Sequence, residues 1–314
     1  MLRVVSEYLS LILSLAAILA CGLLLLTFGT FHSLRTFSVK LICFLAASLM
    51  LALTSFLLAF ELANTPLCVP LAIALHLFFL CTFTWSLVVA INFYLMIVRR
   101  TADCERFEKW YHLVAWLPPA IIVIGTGAAQ QYGGIGATRL VTGDLLFTAC
   151  YIRSVDAVFF GLMLPGVIVV TINAVLFYFV AKEIHDAMAS APTAAAPVDS
   201  NNKKVRRRHF RVYASIFVSV GLPWVIGFAA YFAPKLADFA ASPSTVPPAG
   251  VVVGEILSLL FNVAVPLQGL LLFESYCCNA KVAGKWSHLL GTVIPFFKRW
   301  EKLGVTKSKG SLRA

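Results

Sequence analysis

Long apolar segments alternate with short polar stretches along most of this chain. Seven of the apolar segments have about 20 residues or more, the length that a helix needs to cross the hydrocarbon core of a bilayer. Their bounds are roughly 8–31, 41–60, 68–98, 110–129, 156–184, 210–232 and 251–273. Because lipid offers the backbone no hydrogen-bond partners, apolar runs this continuous span it as helices. The pattern therefore predicts an all-α membrane protein, a seven-transmembrane helix bundle.

The few charged residues are distributed unevenly between these segments. The chain is 60% hydrophobic and 12% charged, with a net charge of +11. Nearly all Lys and Arg fall in alternate gaps and in the C-terminal tail; the exceptions are Arg3, Arg139, Arg153 and Lys235. Basic residues next to spans stay on the cytoplasmic side. The charge pattern therefore predicts an N-terminus outside, a C-terminus in the cytoplasm, and a basic inner surface that meets anionic lipid rather than nucleic acid.

The stretch after the seventh segment is amphipathic. Apolar side chains recur there at helical spacing between lysines, which is typical of a helix lying on a membrane surface. These apolar positions are Trp286, Leu289, Leu290, Val293, Phe297 and Trp300. We expect a seven-span domain over residues 1–274, followed over 275–314 by this surface helix and a cytoplasmic tail. Cys277 and Cys278 lie at the membrane edge, where palmitoylation would add an anchor; two reduced thiols are the alternative.

Two of the eight cysteines lie on the predicted outer side. Cys68 opens the third span, and Cys150 lies late in the second outer loop. The cell exterior is oxidising, so a bridge between these two cysteines is expected. It would hold the second outer loop over the helix bundle. Two unpaired thiols are the alternative.

The third inner loop, about residues 185–208, differs from the other loops in length and composition. It is rich in Ala, Pro and Ser, which predicts a flexible segment. A basic run over residues 203–211 follows and leads into the sixth span. Such a run fixes the inner end of a span, and it could also dock a cytoplasmic partner.

The sequence lacks the residues that several other classes of membrane protein require. The seventh span has no lysine for a retinal Schiff base, and His76 is the one histidine well inside a span, too few for a membrane metal hydrolase. No internal repeat typical of a transporter is visible. YGGIGA in the second outer loop lacks the lysine of a P-loop and is interpreted as a flexible turn. The sequence therefore predicts neither an enzyme nor a bound cofactor or metal.

A set of motifs occurs in order along the chain: LRTFSVKLICFLAAS, TFTW, NFYLMIV, WYHLVAWLPP, CYI and PLQG. With Cys68 at the head of the third span, this set resembles the slime-mould cyclic-AMP receptors and their fungal and plant relatives, a group similar to the secretin and adhesion receptors. The resemblance spans most of residues 30–275. Tyr151 departs from it, because the group usually has Trp there. The resemblance implies a G-protein-coupled receptor of the plasma membrane, switched by an extracellular ligand and signalling through a heterotrimeric G protein.

Prolines within the spans suggest how such a switch would move. Proline removes a backbone donor and weakens a helix locally. Pro223 with Gly227 in the sixth span, and Pro266 in the seventh, are therefore candidate hinges. A swing of the sixth span would open a cytoplasmic cavity for the G protein.

Basic residues at the inner ends of the spans are candidates to couple the G protein. They are Arg99, Arg100, Arg207, Arg208 and Arg211. Arg99 and Arg100 lack the Asp/Glu-Arg-Tyr pattern of rhodopsin-like receptors. An inner lock is therefore expected to use other partners, such as Arg35, His112 or Glu274.

Polar residues in the outer half of the bundle are candidates to line a ligand pocket. They are His76, Arg153, Asp156 and Glu255. A histidine satisfied within the core is the alternative for His76, and Glu255 should face water or pair with a cation because an unpaired charge in a span is costly. Cyclic AMP would need the few outer cations for its phosphate, and acidic groups compete with them. Cyclic AMP is therefore one alternative, and an unknown small molecule, cationic or amphiphilic, is favoured.

Two other functions stay open from the sequence. A seven-span transporter would need a continuous polar path, and a membrane scaffold would bind lipid or partners without switching. Asn92, Asn173, Asn262 and Gln268 lie within spans and are candidates for hydrogen bonds between helices.

Overall fold

The structure is a computed structural model that describes residues 2–138, 145–189, 221, 223–230 and 249–293. Its helices follow the apolar segments closely. They are α1 (Leu2–Thr30), α2 (Phe37–Glu61), α3 (Cys68–Ile97), α4 (Glu108–Ala128), α5 (Val155–Val158), α6 (Leu164–Ala189), α7 (Ala249–Cys277) and α8 (Ala280–Val293). A π-helical turn, Phe159–Met163, joins α5 to α6, so the three elements form the fifth predicted span.

Six helical stretches in the described part of the chain are long and apolar enough to cross a membrane. They correspond to six of the seven predicted spans. The remaining one, the predicted sixth span, is represented by the helical residues 221 and 223–230. The rest of that span, the third inner loop and the basic run lie outside the described residues.

Local chemistry explains where several helices begin and end. The Thr36 side chain caps the start of α2 by accepting a hydrogen bond from the Val39 N–H at 3.4 Å, and Ser154 caps α5 through the Ala157 N–H at 3.2 Å. After α3, Arg100 has a φ of 52°. This is a left-handed conformation, and a right-handed helix cannot continue past it. Gln130, with a φ of 53°, has the same role after α4.

A β-hairpin closes one end of the bundle, and it corrects one prediction from the sequence. Strand β1 (Tyr132–Thr138) pairs with β2 (Leu145–Ile152) in antiparallel register, with Tyr132 opposite Ile152. The YGGIGA stretch therefore forms most of a strand rather than a flexible turn. Its glycines have weak strand propensity, so only pairing with the apolar β2 fixes their conformation.

The predicted disulfide fastens this hairpin to the bundle. Cys68 at the start of α3 is bonded to Cys150 in β2; the two Cα atoms are 5.1 Å apart, and the two cysteines are 82 positions apart in sequence. We call this region, with the starts of α3 and α5, the hairpin end. The opposite end, which carries Arg35, Lys40, Arg100 and Glu183, is the charged end. The positive-inside rule predicts that the hairpin end is extracellular.

The core is built around α3, which packs against α2, α4 and α6. Near the hairpin, Leu75 and Phe83 of α3 pack with Val123 of α4 and Ile152 of β2. Towards the charged end, Trp85 is fully buried. The outer faces of α1 and α4 remain apolar and exposed, as expected for helices that face lipid.

The amphipathic segment after the seventh span forms α8, which begins immediately after α7. Asn279 caps it by accepting a hydrogen bond from the Val282 N–H at 3.1 Å. The indole of Trp286 then fastens the helix to α1: its Nε1 donates to Thr27 Oγ1 at 3.1 Å, and its ring meets the Phe31 ring edge to face at 5.2 Å. Pro295 and the tail lie outside the described residues.

Candidate functional site

A buried histidine joins three parts of the chain beneath the hairpin. His76 of α3 is fully buried; its Nε2 lies 3.0 Å from the Gly161 carbonyl oxygen and its Nδ1 lies 2.7 Å from the Tyr132 hydroxyl. A carbonyl oxygen only accepts, so Nε2 carries a proton and, in the neutral ring, Nδ1 accepts from Tyr132. His76 therefore links α3 to β1 and to the π-helical turn.

The π-helical turn makes this contact possible. It aims the Gly161 carbonyl at His76, and a Cβ on Gly161 would lie only 3.3 Å from His76 Cε1 and 3.4 Å from Thr126 Oγ1. A side chain at this position would therefore crowd both α3 and α4. Single π-helical turns inside α-helices are frequent at functional sites.

Tyr132 is the hairpin's contribution to this cluster. Its ring is buried, and its hydroxyl also lies 3.4 Å from the Val123 carbonyl oxygen in α4. Burial raises the pKa of Tyr132 to about 12. The hydroxyl therefore stays protonated at physiological pH and remains a donor to the histidine or to the carbonyl oxygen.

The three predicted ligand residues whose side chains the structure describes, His76, Arg153 and Asp156, do not meet in one place. His76 is occupied by contacts within the protein, whereas Arg153 and Asp156 are exposed at the hairpin end. The Arg153 guanidinium lies where a Cβ on Gly133 would be, so the glycine leaves room for it over β1. No hydrogen bond or ion pair joins Arg153 or Asp156 to His76 in the described structure. Glu255 lies in α7, and its side chain is outside the described residues.

An aromatic cluster surrounds Trp224 in the helical residues 223–230. The indole is 2% exposed, and its ring centroid lies 4.2 Å from that of Phe83, 5.3 Å from that of Phe261 and 5.5 Å from that of Phe79. Phe79 and Phe83 belong to α3, and Phe261 belongs to α7. Trp224 was not among the residues predicted from the sequence, although a large aromatic residue directly after the hinge candidate Pro223 is a visible signal.

Gly227 brings the sixth span close to α7. A Cβ on Gly227 would lie 2.6 Å from Phe261 Cε2, so only a glycine allows this packing without a shift of the ring. Pro223 is buried one turn away in the same segment. Both hinge candidates in this span therefore flank Trp224.

A small cavity borders the aromatic cluster. It has a volume of about 30 Å³ and is lined by Phe79, Phe261, Asn262, Pro266 and Ser14, among others. Within the described residues, the buried Ser14 hydroxyl has no hydrogen-bond partner. This volume is sufficient for one water molecule, which could satisfy Ser14. The third hinge candidate, Pro266, therefore lines a small, mainly apolar cavity.

Arg100 pairs with a residue that the sequence analysis did not name. Its Nη2 lies 3.1 Å from Glu183 Oε1, which joins the end of α3 to α6. The expected partners lie elsewhere: Arg35 donates to the Phe28 and Gly29 carbonyl oxygens, and His112 Nε2 lies 3.8 Å from Glu108 Oε1. Arg100 therefore pairs with Glu183 of α6 rather than with Arg35 or His112.

The remaining coupling and anchoring candidates fall into two groups. Arg99 is exposed at the end of α3, and Arg207, Arg208 and Arg211 lie outside the described residues. At the junction of α7 and α8, Cys278 is exposed whereas Cys277 is buried.

Polar residues within the spans connect particular helices. Asn92 donates from Nδ2 to Ser38 Oγ at 3.0 Å, and Asn173 donates to Ser86 Oγ at 3.0 Å, as the sequence analysis expected of both. Gln268 is fully buried, and neither of its amide atoms has a hydrogen-bond partner in the part of the chain described.

Comparison with known proteins gives a consistent result. The family described as "7 transmembrane receptor (Secretin family)" matches residues 2–271. Latrophilin receptor-like protein A of Dictyostelium discoideum is 36% identical over 312 residues, which cover 99% of this chain and 91% of that protein. Adhesion G protein-coupled receptor E1 of Homo sapiens is 25% identical over 282 residues, 87% of this chain and 27% of that receptor. Cyclic AMP receptor 1 of Dictyostelium discoideum is 30% identical over 174 residues, 51% of this chain and 44% of that receptor.

Proposed function

Because this chain belongs to the secretin family of seven-transmembrane receptors, we propose that it detects an extracellular small ligand at its hairpin end and activates a heterotrimeric G protein at its charged end. The starting point is a receptor with several membrane spans. The matched relatives are receptors rather than enzymes. The proposal concerns the ligand site, the moving element and the partner.

The observation that carries the proposal is the position of Trp224. This side chain belongs to the sixth span but contacts α3 through Phe83 and α7 through Phe261. A ligand that changes the spacing of α3 and α7 at the hairpin end would therefore change the packing around Trp224. Pro223 and Gly227 on either side of it allow the helix to bend there.

The ligand site in this proposal lies at the hairpin end. Arg153 and Asp156 present charges of opposite sign to the exterior, so they would contact the ligand directly. His76, which is buried, would act as a positioning residue that holds Tyr132 and the π-helical turn in place. An amphiphilic ligand fits this arrangement, with a polar group on the exposed charges and an apolar part towards the aromatic cluster.

Cyclic AMP is the second candidate ligand. Its support is the 30% identity to Cyclic AMP receptor 1. Arg153 is the described outer cation that would take its phosphate. Asp156 lies three residues away and would repel that phosphate.

The G-protein site in this proposal lies at the charged end, between α3, α6 and the sixth span. Arg100 is 81% exposed and its pair with Glu183 is open to water. An ion pair of this kind contributes only about 0–1 kcal/mol. Breaking this ion pair during activation would therefore cost little free energy. Arg99 and Arg100 would then be available to contact the G protein, together with Arg207, Arg208 and Arg211 of the basic run.

Nucleotide exchange tests the proposal directly. Purified receptor in nanodiscs would be mixed with representatives of each Gα class, and exchange would be followed with and without a panel of small ligands that includes cyclic AMP. We expect one Gα class to exchange faster with the receptor than without it. Arg99→Ala with Arg100→Ala should reduce this acceleration at least tenfold.

Trp116→Ala is the matched control for Trp224→Ala in this assay. Trp116 lies on α4 and is partly exposed to lipid, far in sequence from the sixth span. We expect Trp224→Ala to change exchange and Trp116→Ala to leave it unchanged. Equal behaviour of the two variants, or no acceleration of any Gα class, contradicts the proposal. Solute flux into liposomes would instead support a transporter.

A further inference from the structure

A larger cavity lies at the charged end, distant from the hairpin and from the Trp224 cluster. Its volume is about 360 Å³, within the roughly 300–1,000 Å³ typical of small-molecule sites. It is enclosed by the end of α1, the first turns of α2 and the start of α4. None of its lining residues belongs to the ligand site or to the G-protein contacts proposed above.

The wall of this cavity is apolar, and its position is at the membrane boundary. Leu25, Phe28, Phe37 and Phe44 form the wall. Because α1, α2 and α4 end or begin at this level, the wall lies near the transition from hydrocarbon to lipid head groups. Trp286, a residue type that is enriched at this depth, packs on the nearby end of α1.

The rim of the cavity carries charges of both signs. Arg35 and Lys40 are its cations, and Glu105 and Glu108 are its anions. Lys40 Nζ donates a hydrogen bond to the Glu108 carboxylate, so these two charges satisfy each other. Glu105 forms no ion pair within the described residues.

Arg35 retains donors for a ligand. It donates through Nε to the Phe28 carbonyl oxygen and through Nη2 to the Gly29 carbonyl oxygen at 2.8 Å. A guanidinium has five N–H groups, so three remain after these two bonds. The rim thus presents one cation with spare donors, Arg35, and one carboxylate, Glu105, that has no ion pair in the described part of the chain.

We propose that this cavity binds a zwitterionic phospholipid with an ammonium head group. The Arg35 guanidinium would bind the phosphate, Glu105 would accept hydrogen bonds from the ammonium, and the acyl chains would follow the apolar wall. Phosphatidylglycerol carries the same phosphate but lacks the ammonium cation that Glu105 requires. The site therefore selects a phosphate and an ammonium on one lipid, whichever leaflet the charged end faces.

Native mass spectrometry of the whole receptor in detergent tests this site with two lipids, phosphatidylethanolamine and phosphatidylglycerol. We expect the wild-type receptor to retain phosphatidylethanolamine at least tenfold more tightly than phosphatidylglycerol. Glu105→Lys should reverse this preference, because Arg35 would then have a second cation beside it. Asp103→Lys is the matched control, since it makes the same charge change two residues away at an exposed side chain outside the cavity.

A third probe distinguishes an intact lipid from its free head group. Soluble glycerophosphoethanolamine has the phosphate and the ammonium but no acyl chains. We expect it to displace phosphatidylethanolamine only at a concentration at least tenfold higher than the lipid needs. Equal potency would overturn the assignment to a lipid, since the apolar wall would then contribute nothing.

The charge variants decide the proposal even if one of them is unstable. Arg35→Gln should weaken the binding of both lipids. Because Arg35 also donates hydrogen bonds to the end of α1, the melting temperature of this variant is measured in parallel. The Glu105 side chain has no such contact among the described residues. The reversed lipid preference expected of Glu105→Lys can therefore be interpreted without a correction for lost stability. No preference in the wild-type receptor, or the same shift in Glu105→Lys and Asp103→Lys, overturns the proposal.

Discussion

At the residue scale, the imidazole of His76 holds together elements that are far apart in sequence. Tyr132 lies 56 residues after it and Gly161 lies 85 residues after it. Both ring nitrogens are used inside the protein, so a ligand would have to displace a hydrogen bond to reach either one. This is why we assign His76 a positioning role.

Removal of the Tyr132 hydroxyl tests that role. Tyr132→Phe keeps the ring but leaves a buried His76 nitrogen without its donor, which costs about 1–3 kcal/mol. We expect a lower melting temperature for the purified receptor. Tyr151→Phe in the neighbouring strand is the control, because no hydrogen bond of the Tyr151 hydroxyl is present in the described structure. Equal melting temperatures for the two variants would contradict the positioning role.

The two cysteines after α7 differ in their access to an acyl donor. Cys278 is exposed and Cys277 is buried. We predict that palmitate, if attached to this junction in cells, is carried by Cys278. Cys278→Ser should abolish thioester-linked acylation in an acyl-exchange assay, and Cys277→Ser should leave it unchanged. Loss of the signal in Cys277→Ser alone would show the assignment to be wrong.

At the element scale, the sixth span is held against α7 by the absence of a side chain at Gly227. Gly227→Ala places a Cβ 2.6 Å from the present position of Phe261 Cε2, so the two helices must separate or the ring must move. Overpacking of this kind costs about 1–3 kcal/mol. We expect a lower melting temperature and raised ligand-free nucleotide exchange on the responsive Gα.

Gly125→Ala is the control for this helix contact. A Cβ on Gly125 in α4 would meet no atom within 4 Å, so the change adds helix propensity without a clash. Phe261→Leu combined with Gly227→Ala should restore the melting temperature by making room for the new methyl group. Failure of this rescue would indicate that the contact with Phe261 is not the cause.

The Trp286 side chain attaches helix α8 to the end of α1. Trp286→Ala removes both the hydrogen bond to Thr27 and the ring contact with Phe31. We expect the amide hydrogens of residues 280–293 to exchange about tenfold faster, since about 1–2 kcal/mol of local stabilisation is lost. Lys285→Ala, at the exposed neighbouring position, should have no such effect. Unchanged exchange in Trp286→Ala would mean that the Trp286 side chain does not hold α8 in place.

At the scale of the whole molecule, the disulfide connects the hairpin to the bundle. Its cysteines are 82 residues apart, and a cross-link across a loop of this length stabilises a protein by about 4 kcal/mol in the chain-entropy model. We predict that Cys68→Ser with Cys150→Ser lowers the melting temperature substantially and makes the hairpin accessible to protease. Mass mapping of the non-reduced wild-type protein should find these two cysteines linked. Two free thiols there would refute the prediction.

Much of the architecture follows from hydropathy alone. The predicted third span, 68–98, agrees with α3 to within one residue at its C-terminal end, because a span ends where its polar neighbours cannot enter lipid. Cys68 and Cys150 could be paired from topology since the other cysteines fall in spans or on the inner side. Helix bounds and this bridge are local or topological properties, and both can be obtained from the sequence.

Contacts between helices were harder to predict. Arg100 meets Glu183 because a left-handed residue turns the chain after α3, and neither feature has a signature in composition. In the sequence, Trp224 is one apolar residue among many. Only the rotation of its helix in the structure shows that it faces Phe83 and Phe261. The glycine-rich part of β1 resembles a turn until β2 pairs with it.

The sequence by itself predicted the spans, because transfer into lipid is a sum over consecutive residues and needs no knowledge of neighbours. The disulfide followed from the topology of those spans, and the receptor class followed from the resemblance of the motifs to a known family. Tertiary structure decided which polar groups meet: His76 with Tyr132, Asn173 with Ser86, and Lys40 with Glu108. These contacts depend on how each helix is rotated and how deeply it lies against the next. That rotation is set by packing across the whole bundle, since lipid can accept any apolar face of a helix equally well.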